Sequence, residues 1–65
     1  MDVSLDGVRE KFLRSYANLP VGAREEIIVV FEDGPLSWKA AYFEVVNETS
    51  RGIEILEKIK SLNIL

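Results

Sequence analysis

Cysteine and histidine are both missing from this 65-residue chain. Without cysteine there is no disulfide and no thiolate metal site. Without histidine, the commonest zinc ligand and the commonest general base are gone as well. Ser15, Ser37, Ser50 and Ser61 therefore have no imidazole to activate them as nucleophiles. Long hydrophobic runs are also absent. The longest, Ile27-Ile28-Val29-Val30-Phe31, falls far short of the ~20 residues that span a bilayer. Basic residues are outnumbered 8 to 11, for a net charge of −3, so there is no electrostatic footprint for nucleic acid. The opening Met1-Asp2-Val3-Ser4 lacks the basic-then-apolar form of a secretory leader. A cytoplasmic protein is expected, with no cofactor, no metal and no membrane partner.

What is abundant is apolar surface: 48% of the residues are hydrophobic. A body of this size is one domain, residues 1–65, and buries only roughly 60% of its unfolded surface. With no covalent or metal staple, stability has to come from packing, from well-capped helices, or from a second subunit.

The chain contains no repeat and no low-complexity tract. Leu5, Val8, Phe12, Leu13, Tyr16 and Leu19 recur at spacings of three and four, which predicts a helix over about residues 5–18. Ser4 or Asp6 can cap it. Glu10 and Arg14 form an i, i+4 pair. Asn18-Leu19-Pro20 ends it, because a residue before proline avoids the α region. Ile27 to Phe31 is β-branched and apolar on every side, so periodicity leaves strand and helix both open. As a strand, it would turn at Asp33-Gly34 and pair with a second strand around Tyr42 to Val46, giving an α-β-β-α plan. As a helix, it would make an all-α fold.

The next segment favours the helical plan. Trp38, Ala41, Tyr42, Val45 and Val46 occupy i, i+3, i+4, i+7 and i+8. Ser37 is a natural N-cap. Thr49 or Ser50 caps a last helix, with Ile53, Leu56, Ile59 and Leu62 along one face and Ile55 broadening it. Glu54 and Lys58 are an i, i+4 pair. Asn63 suits the left-handed position that closes a helix, letting Ile64-Leu65 fold back. The expected architecture is all-α: four short helices with a helix-turn-helix-like three-helix core.

Residues 24–65 also carry a family pattern. Arg24 to Phe31 has the length of a first helix, and Asp33-Gly34-Pro35-Leu36-Ser37 forms an acidic-Gly-Pro-Leu-Ser turn. Trp38 to Val46 has the length of a second helix and Ser50 to Leu62 that of a recognition helix, ending Leu62-Asn63-Ile64-Leu65. This stretch resembles the helix-turn-helix core of winged-helix domains. Tyr42 stands where that family has a small residue, Val46 where it has glycine, and no wing is expected after Leu65. The resemblance implies a fold. Its functional corollary is a wingless DNA-binding regulator in which Ser50, Arg51 and Lys58 meet the DNA. Glu48, Glu54 and Glu57 share that surface and repel phosphate. The Trp-x-Ala-Ala-Tyr segment, Trp38 to Tyr42, is also similar to one in short archaeal proteins of unknown function, which implies no activity.

The carboxylate groupings, Glu25-Glu26, Glu32-Asp33 and Glu54/Glu57, match no calcium-loop spacing and read as solvated charge. Phe43 is different. On a helix it lies about 140° from Trp38, well off the apolar stripe, with Ala40 and Asn47 on its side. The expected function is a non-enzymatic interaction module that associates with itself or with another protein through Ala40, Phe43 and Asn47. The alternative is the DNA-binding regulator.

Overall fold

A computed structural model describes residues 5–65 of the chain. Helix α1 spans Leu5–Ala17, and a 3-10 turn follows at Val21–Glu25. Strands β1, Ile27–Phe31, and β2, Gly34–Ser37, come next. Helix α2 spans Trp38–Val46 and helix α3 spans Ser50–Leu62. The all-α expectation of four helices is thereby overturned: the described residues form three α-helices and a two-stranded antiparallel sheet. The chain does reverse after Phe31. The returning strand is Gly34–Ser37, however, and Tyr42 to Val46 is helical rather than a second strand.

The reason lies in the side chains of β1. Ile27, Ile28, Val29 and Val30 are consecutive β-branched residues, which lose χ1 freedom in a helix and pack well on a pleated surface. The turn at Glu32-Asp33 closes with Gly34 at φ 132°, a conformation that residues with a Cβ rarely adopt. Phe31 then pairs with Gly34, Val30 with Pro35, Val29 with Leu36 and Ile27 with Ser37, with a register shift between Ile27 and Val29. That shift lets Val29 enter the core while Ile27 and Val30 both stay exposed. The would-be first helix of a helix-turn-helix core, Arg24 to Phe31, is thus a 3-10 turn followed by a strand.

Strand β2 runs into α2 with no loop. Ser37 ends the strand and caps the helix, its Oγ accepting from the Ala40 N–H at 3.2 Å. At the other end of α2, Thr49 ties two helices together. Its hydroxyl donates to Glu44 Oε1 at 2.6 Å and accepts from the Gly52 N–H at 2.9 Å. Asn63 closes α3 in the left-handed conformation, at φ 53° and ψ 46°. For α1, Asp6 sits inside the first turn, and Ser4 lies outside the described residues.

The core is formed by Val8 and Phe12 of α1, Val29 of β1, Ala41 and Val45 of α2, and Ile55, Leu56 and Ile59 of α3. Phe12 stacks on Trp38, with ring centroids 5.6 Å apart, and Tyr16 stacks on Tyr42 at 4.1 Å. These aromatic pairs join α1 to α2. Leu65 packs back against the core. The stripe on α3 is rotated from the expected one: Gly52, Ile55, Leu56 and Ile59 are buried, whereas Ile53 and Leu62 are about half exposed. Gly52 explains the rotation. A Cβ there would stand 2.5 Å from the Glu44 carbonyl oxygen, so its absence lets α3 press that face onto α2. Among the described residues, no helix is long and apolar enough to cross a membrane.

Candidate functional site

The first candidate surface is the outer face of α2. Phe43 is 67% exposed. Helix α1 meets α2 through Phe12–Trp38 and Tyr16–Tyr42, on the side of α2 away from Phe43, so it leaves the Phe43 ring uncovered. Ala40 and Phe43 line a shallow open groove together with Ser37, Lys39 and Glu44. The structure therefore joins two of the three expected interface residues. Asn47 is exposed but lies outside this groove's lining, and its Nδ2 donates to the Phe43 carbonyl at 2.7 Å. Its amide serves the end of its own helix. The opposite charges of Lys39 and Glu44 flank the apolar pair, a feature that inspection of the stripe alone did not single out.

The second candidate surface lies on α3 and the hairpin turn. Arg51 does not project freely. Its Nη2 donates to both oxygens of Asp33, at 2.7 and 3.0 Å, and its Nη1 to Glu54 at 3.4 Å. The guanidinium also lies over the Phe31 ring, 4.3 Å from its centroid. Lys58 approaches the same ring, with Nζ at 5.8 Å. The hydrogen bond from Arg51, together with its charge, holds the Asp33 carboxyl below the ordinary carboxylate range. The same hydrogen bond raises Arg51 in turn. This clasp fastens the hairpin turn to the first turn of α3. Ser50 is exposed at the start of α3. Of the three residues assigned to DNA contact, Arg51 and Lys58 are brought together around Phe31, and Ser50 makes no part of that cluster. The Asp33–Arg51 pairing spans 18 positions and has no local signature. The i, i+4 pairs expected at Glu10–Arg14 and Glu54–Lys58 are not among the ion pairs of the described residues. Those are Lys39–Glu25, Arg51–Asp33 and Arg51–Glu54.

A third feature was not anticipated from sequence. Arg24, on the 3-10 turn, lies over Tyr16 with its guanidinium carbon 4.7 Å from the ring centroid. Arg9, Leu13, Tyr16 and Ala17 stand at i, i+4, i+7 and i+8 of α1 and line one groove with it. The helical spacing of those four was legible. The arrival of Arg24 beside them depends on the path of the chain after Pro20, which no local pattern encodes. No protein-family profile, no curated protein sequence and no solved structure matches the chain.

Proposed function

We propose that this chain is a non-enzymatic interaction module that pairs with a second copy of itself through the outer face of α2. The observation that carries this reading is the exposed ring of Phe43 beside the small side chain of Ala40. In an antiparallel, two-fold packing of α2 on its symmetry mate, each residue meets its counterpart reciprocally. If the axis passes between Ala40 and Phe43, each Phe43 seats against the partner's Ala40. One groove thus supplies both ring and recess to itself. Burying a Phe side chain contributes ~1.5–3 kcal/mol, and a two-fold interface uses it twice.

The DNA-binding reading through Ser50, Arg51 and Lys58 has weaker support, because the guanidinium it needs is occupied by Asp33 and Glu54. The lack of histidine and cysteine supports a non-enzymatic role. Sedimentation equilibrium over a concentration series tests the proposal. The parent chain is expected to dimerise with a Kd at or below about 1 mM. Phe43→Glu is expected to weaken pairing by at least about tenfold, and Phe43→Leu to weaken it only slightly. A parent chain that stays monomeric at about 1 mM overturns the proposal.

A further inference from the structure

A separate open groove lies between α1, the 3-10 turn and α2, with a volume of about 650 Å³. That is within the range of roughly 300–1,000 Å³ typical of small-molecule sites. Arg9 and Arg24 supply its charge, Tyr16 and Tyr42 its aromatic surface, and Leu13 and Val46 its apolar wall. No carboxylate lines it, although the chain as a whole carries a net charge of −3. Neither arginine belongs to an ion pair of the described residues. Arg24 is held in place by stacking: its guanidinium lies on Tyr16, which lies on Tyr42 at an interplanar angle of 9°. A cation held over a ring face makes no hydrogen bond to it, which leaves the guanidinium N–H groups for other partners. One of them, Arg24 Nε, has no hydrogen-bond partner but is shielded from solvent, so an incoming anion meets the terminal nitrogens of the guanidinium first. A shielded donor without an acceptor is costly, and each such group calls for an explanation.

We propose that this groove binds a small organic anion. A carboxylate or phosphate-ester group is taken by Arg24 with Arg9, and an aromatic or aliphatic body lies against Tyr42, Leu13 and Val46. The guanidinium fork matches two oxygens of such a group. Its stacked position means that little freedom is lost on binding. The apolar wall adds affinity for a body that inorganic anions lack.

Titration of the 15N-labelled chain, followed by NMR, tests the site with four probes: benzoate, phenyl phosphate, inorganic phosphate and benzyl alcohol. At least one aromatic anion is expected to shift the Arg24 Nε–H signal and the Ala17 and Val46 amides saturably, with a Kd of about 1 mM or tighter. Inorganic phosphate, lacking the body, and benzyl alcohol, lacking the charge, are expected to bind at least about tenfold more weakly. Preference for phenyl phosphate assigns phosphate esters as the ligand class, and preference for benzoate assigns carboxylic acids. Arg24→Gln and Arg9→Gln are each expected to weaken the better probe by about tenfold or more. Arg9→Gln leaves the Arg24–Tyr16–Tyr42 stack intact, so it remains decisive if Arg24→Gln unfolds the chain. The proposal is overturned if neither aromatic anion shifts these signals at about 10 mM. It is equally overturned if benzyl alcohol binds as tightly as the anions, or if binding survives in Arg9→Gln.

Discussion

Glu48 occupies the left-handed region, at φ 54°, in the three-residue connection between α2 and α3. A residue with a Cβ is strained there by roughly 1–2 kcal/mol, whereas glycine is not. Glycine also costs more chain entropy on folding, by about 0.5–1 kcal/mol. The balance favours replacement: Glu48→Gly is expected to stabilise the fold by roughly 0.5 kcal/mol, read as a higher midpoint in urea unfolding. The Asp33–Arg51 clasp yields a second expectation at this scale. The Asp33 pKa is lowered in the folded chain by the hydrogen bond and charge of Arg51. A carboxyl depressed on folding adds stability that is present above its unfolded pKa and disappears as pH falls through the folded value. The clasp's contribution should therefore be complete near neutral pH and fade from about pH 4 downward. Asp33→Asn should be less stable than the parent near neutrality, and the gap between them should close in urea titrations at low pH. A gap that stays constant with pH would show that the carboxylate's charge is not what stabilises the turn.

Between elements, two contacts decide the geometry. The first is the junction of β2 and α2, where Ser37 is both the last strand residue and the helix cap. Ser37→Ala removes the acceptor of the Ala40 N–H and is expected to cost about 0.5–2 kcal/mol. Differential scanning calorimetry would register this as a lower Tm, and an unchanged Tm would deny the cap. The second is the crossing of α2 and α3 at Gly52. An added methyl group meets the backbone of Glu44 and Val45 at 2.5–3.2 Å, and backbone cannot swing aside as a flexible side chain can. Gly52→Ala is expected to cost about 1–3 kcal/mol, whereas the same change at the exposed Gly22, with nothing within 4 Å, should be mild. The caps at Ser37, Thr49 and Asn63 were legible because capping is a local reaction of backbone and adjacent side chain. The face that α3 buries was not. Ile53 and Ile55 are equally apolar, and the choice between them follows from where Gly52 lets the neighbouring helix approach.

For the molecule as a whole, self-pairing through Phe43 would couple stability to concentration. Anything that binds only the folded state raises its apparent stability by mass action. The parent's Tm should therefore climb with protein concentration, and that of Phe43→Glu should not. Much of this body was readable from sequence alone. The extent of α1, α2 and α3 follows from apolar spacing and from the caps and breakers around it, all of which act within a turn or two of the chain. Phe43 was recognisable as an outlier for the same reason, since its angle from the stripe depends only on helical geometry. What sequence left open was the segment Ile27 to Phe31, apolar on both faces and β-branched from Ile27 to Val30. Its state was decided by Pro35, Leu36 and Ser37 returning alongside it, and by Val29 entering the space among Ala41, Val45 and Ile55. The Asp33–Arg51 clasp and the meeting of Arg24 with Tyr16 likewise depend on chain paths that only the packed core sets. Sequence determined what local sterics and hydrogen bonding control. Tertiary structure decided which surfaces were left outside once the apolar residues had been brought together.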